Sequence, residues 1–318
     1  MNWRRAGLVL IGLCGALYLL NASWRVAAPG HFARLIAHRG VHQRFDPVGL
    51  GYDGCSASRS VAPLSPFIEN TIPSMRAAFA QGADVVEIDA APTKDGQFAV
   101  FHDWTLECRT NGIGEVRAQD MAALRQLDVG HGYTLDGGQT FPMRGQGRGM
   151  LPSLSDVFIA IPEGRFLVNF KSAEAREGDM LADLLVTHPE WRAQVWGVYG
   201  DAAPVHAAQG RIADLRAFVT SDSKVCLKRY ILLGWSGYVP QACRDSVVML
   251  PINVAPWMFG WPNLFQKRLQ QAGSEVVLVG PYRKGIPAGG INSAVQRNLA
   301  GQNFGGYIWT DAIEVIPD

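Results

Sequence analysis

Residues 84–103 read DVVEIDAAPTKDGQFAVFHD, and the fold follows from how this stretch is parsed. Val85–Ala90 is a short run rich in apolar and β-branched residues, as expected of a buried strand. Asp95-Gly96 signals a hairpin turn, so Phe98–Phe101 returns antiparallel and brings His102 back beside the end of that strand. Glu87 and Asp89, two apart on a strand, point to the same side.

Working outward, similar runs recur at Arg34–Ala37, Phe166–Phe170, Val195–Tyr199, Leu215–Thr220, Val247–Ile252, Glu275–Gly280 and Tyr307–Trp309, giving eight strands. Between them lie helix-like stretches at Ser74–Gln81, Glu174–Leu185, Ser223–Leu233, Leu264–Ala272 and Ser293–Leu299. Strands alternating with helices imply a parallel sheet covered on both faces, and eight such units in 318 residues predict an α/β TIM (β/α)8 barrel. A doubly wound open sheet is the alternative, but the first strand ends in Ala37-His38-Arg39-Gly40 and lacks a Gly-rich dinucleotide turn. Val41–Phe67 and Gly130–Gly149 read as long loops.

The N-terminus reads as a targeting segment, since Arg4 and Arg5 precede an uncharged apolar run from Ala6 to Leu20 flanked by Trp3, Tyr18 and Trp24. Residues 1–29 are expected to be a signal peptide or transmembrane anchor, with an uncleaved anchor preferred, and residues 30–318 to form one barrel domain. The expected location is outside the cytoplasm: anchored in the inner membrane facing the periplasm, or periplasmic or secreted after cleavage. Cys14 lies in the apolar run, which leaves Cys55, Cys108, Cys226 and Cys243 as an even set compatible with export. Sequence order favours Cys55 with Cys108 and Cys226 with Cys243 among three connectivities. With 29 Lys+Arg against 28 Asp+Glu, the chain lacks the basic footprint of a nucleic-acid binder.

At the rim formed by the strand ends, Glu87 and Asp89 would repel each other unless a cation sat between them, and oxygen ligands favour Mg²⁺ or Ca²⁺. His38 and Arg39 end the first strand, and His102-Asp103 follows the hairpin. Asn169 and Lys171 repeat the two-residue spacing on the third parallel strand. Two imidazoles, a guanidinium, an ammonium and a divalent cation are the groups that phosphoryl chemistry uses. A structural reading stands beside this one, in which the acids form salt bridges with Lys171 and each histidine is a packed core residue.

Together these residues resemble the glycerophosphodiester phosphodiesterase family: His38-Arg39-Gly40, Glu69-Asn70-Thr71, Gly82-Ala83-Asp84, Glu87-x-Asp89, Asp95-Gly96, His102-Asp103 with Leu106 and Arg109-Thr110, Leu151-Pro152-Ser153-Leu154, and Trp309-Thr310. The resemblance implies a metal-dependent hydrolase that converts a glycerophosphodiester to an alcohol and glycerol phosphate. It makes His38 and His102 the acid/base pair, Arg39 and Lys171 the phosphate binders, and Glu87, Asp89 and Asn169 ligands of one divalent metal ion, with Glu69 joining or supporting that site. A substrate hydroxyl beside the phosphodiester would attack phosphorus, and water would open the cyclic phosphate. Asn169 stands where the family usually has a glutamate, which removes one negative charge from the metal site. Two other readings stay open: a phospholipase D-like enzyme that stops at the cyclic phosphate, and a silent phosphodiester-binding barrel.

Overall fold

The computed structural model describes residues 3–51, 54–286, 289–301 and 304–316. Among the described residues, nine strands follow one another: β1 (Arg34–His38), β2 (Val85–Pro92), β3 (Phe98–Val100), β4 (Phe166–Phe170), β5 (Val195–Gly200), β6 (Ala217–Val219), β7 (Val247–Pro251), β8 (Glu275–Val279) and β9 (Tyr307–Thr310). Eight of them form one parallel sheet in the order β6-β5-β4-β2-β1-β9-β8-β7. The two outer strands, β6 and β7, lie beside each other, so the barrel is nearly closed. β3 pairs antiparallel with β2, as the Asp95-Gly96 turn requires. The eight runs legible in the sequence are these eight barrel strands.

The helices are α1 (Trp3–Leu20), α2 (Ile72–Ala80), α3 (Met121–Leu124), α4 (Leu154–Ala160), α5 (Ala175–Thr187), α6 (Ala202–Arg211), α7 (Thr220–Leu233), α8 (Asn263–Gln271) and α9 (Ala294–Ala300). Strand residues of one parity, among them Val86, Ile88, Val168, Val198, Val248 and Leu278, pack outward against this helical layer. Those of the other parity fill the barrel, where Ile36, Val85, Leu167, Trp196, Phe218, Val277, Tyr307 and Trp309 meet. Burial on both faces explains why these strands are almost uninterruptedly apolar. Gly178 of α5 allows the backbone of α6 to approach closely, because a Cβ there would collide with Pro204 and Ala208.

A second core lies at the β2–β3 side of the barrel. Ile68, Ala99, Phe101, Leu106, Val116, Met121, Leu124, Val129, Tyr133 and Met143 pack under the two long loop stretches. Cys55 and Cys108 are joined there, which fastens the 41–67 stretch to the chain just after His102. Cys226 and Cys243 are joined on the far side, between α7 and the approach to β7.

The apolar N-terminal run is a helix whose side chains are largely exposed. Among the described residues, no helix is long and apolar enough to cross a membrane. Asn21 attaches the end of α1 to the barrel, donating to Trp235 O at 2.9 Å and accepting from Arg268 Nη1 at 3.0 Å. The arm then reaches β1 at the N-terminal end of the strands, where Pro29 abuts Gly305 and Arg34 N donates to Gly306 O.

Candidate active site

The two-residue periodicity that fills the barrel also builds the site. Continuing each inward column toward the C-terminal rim, Ile36 leads to His38, Val85 to Glu87 and Asp89, Leu167 to Asn169 and Lys171, and Trp309 to Asp311. The strand register sets them side by side: His38 pairs with Glu87, Asp89 with Asn169, and Asn169 with Tyr199. The C-terminal rim is where barrel enzymes carry their chemistry.

His38 Nδ1 lies 2.6 Å from Asp311 Oδ1. The other carboxylate oxygen accepts from Gly290 N at 2.6 Å and from Asn292 Nδ2 at 2.9 Å. Burial alone would raise the Asp311 pKa, but the His38 hydrogen bond and charge hold it below the usual carboxylate range. Burial, with Arg39 nearby, depresses the His38 pKa against the pull of Asp311. A neutral imidazole whose Nδ1–H faces an ionised carboxylate leaves its Nε2 lone pair free. That Nε2 faces the rim, 3.8 Å from Glu87 Oε2.

His102 is held in the same manner from the opposite side. The β2–β3 hairpin places it, with Phe101 N donating to Asp89 O, and its Nδ1 lies 2.6 Å from Asp103 Oδ1. Asp103 in turn pairs with Arg109 Nε at 2.9 Å. Burial first, then the positive field of Arg39, lowers His102 to about 4. Each imidazole therefore has its own carboxylate behind it.

Between them lie the charged groups. Arg39 adopts φ 57° and is followed by Gly40 at φ 79°, whose hydrogen faces Ser74 where a Cβ would collide. This turn sends Arg39 Nη1 to Glu69 Oε1 at 2.9 Å and Nε to Asp89 Oδ2 at 3.1 Å. Asp89 also meets Lys171 Nζ at 3.4 Å and accepts from Asn70 Nδ2 and Asn169 Nδ2, each at 2.9 Å. Its burial is outweighed by Lys171 and Arg39, so it stays ionised. Glu87 is fully buried, accepts from Tyr199 Oη at 2.7 Å and Arg39 N at 3.2 Å, and is pushed up to about 8 by desolvation and by Asp89.

A buried carboxylate driven toward protonation by its neighbour is the environment that a divalent cation relieves. The donors are all oxygens, given Glu87, Asp89 and the Asn169 carboxamide turned by half a rotation, which suits a hard cation. Glu69 is placed differently from these candidate ligands. Arg39 takes one of its oxygens and Arg109 the other at 3.2 Å, with Tyr133 Oη at 3.4 Å, so it supports the guanidinium groups.

His38, Arg39, Glu87, Asp89, His102, Asn169 and Lys171 thus converge as the sequence indicated, with the disulfides outside the cluster. Tyr199 and Asp311 were not singled out from sequence. Their signal is positional, since each stands at or just beyond the C-terminal end of a barrel strand.

Residues 38–186 match the model of the Glycerophosphoryl diester phosphodiesterase family. The match runs from His38 through the helix that follows β4 and takes in every site residue up to Lys171. Curated relatives include a glycerophosphodiester phosphodiesterase of Caldanaerobacter subterraneus subsp. tengcongensis, 37% identical over 103 residues, covering 32% of this chain and 39% of that one. Another, from Bacillus subtilis, is 42% identical over 62 residues, 20% of this chain and 21% of the relative. The chain thus spans well under half the length of these curated relatives. Among solved structures, the glycerophosphoryl diester phosphodiesterase domain of a Mycobacterium tuberculosis protein superposes with TM-score 0.63 at 16% identity, over 89% of this chain and 97% of that one. A phosphodiesterase of Oleispira antarctica, solved in complex with the product sn-glycerol-3-phosphate, gives TM-score 0.53 at 18% identity, over 89% and 95%. These two likenesses extend the common fold over the barrel beyond residue 186.

Proposed function

We propose that the protein is a glycerophosphodiester phosphodiesterase acting by histidine acid/base catalysis. The observation that carries this reading is the pair of imidazoles, each backed by its own carboxylate, that flank Arg39 and Lys171. Both cations bind the nonbridging phosphate oxygens, displaced onto substrate from Asp89. His38 Nε2 takes the proton of a substrate hydroxyl as its oxygen attacks phosphorus, and Asp311 stabilises the imidazolium that forms. His102, protonated when a phosphodiester anion fills the rim, gives its Nε2 proton to the departing alcohol. In the second half His102 accepts a proton from water and His38 returns one to the ring oxygen, which leaves a glycerol phosphate and restores both residues. A divalent ion, Mg²⁺ or Ca²⁺, held by Glu87, Asp89 and Asn169, would supply Lewis-acid polarisation of a phosphoryl oxygen.

Release of alcohol from a panel of glycerophosphodiesters by the full chain, with Mg²⁺, Ca²⁺ or Mn²⁺ and with chelator, tests this. Metal-dependent release that disappears in His38→Ala and in His102→Ala is expected; folded protein that releases nothing with any of the three ions defeats the reading. A cyclic phosphate that persists would move the protein to the phospholipase D-like class.

We further propose that the protein works outside the cytoplasm, held in the inner membrane by the α1 segment and facing the periplasm, or free there after cleavage. Support comes from Arg4 and Arg5 ahead of the apolar run, the exposed apolar side chains of α1, and two disulfides. A carbonate-wash fractionation of cells making the tagged chain separates anchored from released protein.

A further inference from the structure

His42 takes no part in the chemistry above, yet it is only 2% exposed and its Nε2 has no hydrogen-bond partner among the described residues. Its Nδ1 lies 2.8 Å from the carbonyl of Gln43, so Nδ1 carries the proton and Nε2 presents a bare lone pair in the interior. A buried imidazole nitrogen left unsatisfied is costly. A backbone carbonyl on the other ring nitrogen is also the arrangement that orients metal-bound histidines.

Two further donors stand beside it. The His38 and His42 rings meet edge to face with centroids 5.6 Å apart, and one ligand atom from each of His38, His42 and Asp311 lies within 4.8 Å of the other two. Two imidazoles each bound at about 2.1 Å to a common ion would have centroids near this separation. Asp311 is already anchored by Gly290 N and Asn292 Nδ2 through Oδ2, which leaves Oδ1 directed at His38. Two imidazoles and one carboxylate with an open fourth position form a donor set for a borderline transition ion such as Zn²⁺. The all-oxygen set of Glu87, Asp89 and Asn169 suits the hard ions instead.

We propose that His38, His42 and Asp311 form a second metal site, selective for borderline transition ions, whose occupation switches the enzyme off. The ion replaces the hydrogen bond between His38 Nδ1 and Asp311 Oδ1 and binds both atoms together with His42 Nε2. The single ring proton of neutral His38 then moves from Nδ1 to Nε2, with no net proton gained or lost. The nitrogen that faces the substrate becomes a donor and can no longer accept a proton. The inhibitory half of this proposal rests on the phosphodiesterase reading; the binding half does not.

The test uses the full chain with Co²⁺ and Zn²⁺ as probes. Stoichiometric Co²⁺ is expected to give a visible absorption band of low-coordinate N/O type that Zn²⁺ displaces and excess Mg²⁺ or Ca²⁺ does not. His42→Ala should weaken Zn²⁺ binding by at least about tenfold in calorimetry and raise the half-inhibitory Zn²⁺ concentration by the same factor. His42→Gln, which keeps volume and polarity at the buried position, guards against a misfolded variant and should behave alike. Glu87→Gln should leave the Co²⁺ band in place. The proposal is overturned if both His42 variants bind Zn²⁺ as the parent does, if Glu87→Gln alone abolishes the band, or if Zn²⁺ sustains turnover. Protein that shows the band yet hydrolyses no glycerophosphodiester keeps the site and sinks the functional reading.

Discussion

Tyr199 reaches across β4 to donate its hydroxyl to Glu87 at 2.7 Å. This bond is one of the few influences that favour the ionised form of a carboxyl which burial and Asp89 push up to about 8. A divalent ion bound by Glu87 has to displace its proton, so ion affinity rises as pH climbs through that value.

Tyr199→Phe should therefore shift the rise in Mg²⁺ or Ca²⁺ affinity to higher pH. Losing a hydrogen bond to a charged group is worth about 1.5–3 kcal/mol, which corresponds to affinity weaker by about tenfold or more at pH 7. Calorimetric titration across pH 6 to 9 reads the shift; a superimposable profile would mean that Glu87 is not a ligand.

Asn169→Asp restores a carboxylate to the rim. In the ion-free protein it removes the hydrogen bond to Asp89 and sets a like charge against it, at a cost of about 1–3 kcal/mol. Melting curves should show a lower Tm without ions and a larger gain on adding Mg²⁺ or Ca²⁺ than the parent shows. Equal gains would exclude residue 169 from the ion site.

The two disulfides close chain segments of different length, 53 and 17 residues. Loop-closure entropy predicts about 4 kcal/mol for the first and about 3 kcal/mol for the second. Denaturant unfolding of Cys55→Ser/Cys108→Ser should show the greater loss relative to Cys226→Ser/Cys243→Ser. The reverse ranking would mean that the 41–67 stretch keeps its order without the bond.

Glu177, in the first turn of α5, is 1% exposed; one oxygen accepts from Ser172 N at 3.1 Å and the other has no partner. Burial raises its pKa from 4.5 to about 7. The folded state therefore binds a proton that the unfolded state has lost, so this contribution is complete below about pH 4.5 and vanishes as pH rises through 7. Glu177→Gln should stabilise the protein above pH 7, with a ceiling of about 3 kcal/mol, and should change little near pH 4. An increment in Tm that is the same at both pH values would contradict the buried-carboxyl explanation.

The barrel was legible because each strand is buried on both faces, and the site because strand periodicity alone aims Glu87, Asp89, Asn169 and Lys171 inward at one end. α6 was not legible: Ala202–Arg211 contains a proline and small residues, and its helix is secured by contact with α5 at Gly178. The loops at 41–67 and 130–149 take their shape from the second core and the Cys55–Cys108 bond, both long-range. The same holds for Asp311, which meets His38 across 273 positions of sequence. Asp103 and Asn70 were visible within the motifs, but their hydrogen bonds to His102 and Asp89 could come only from geometry.

The N-terminal arm joins β1 at the pole of the barrel opposite His38, His102 and Lys171. If α1 holds the protein to a membrane, as proposed above, the attached arm feeds into the barrel at its N-terminal pole while the site opens at the other. Substrate would then enter at the pole of the barrel farther from the point where the attached arm runs into β1.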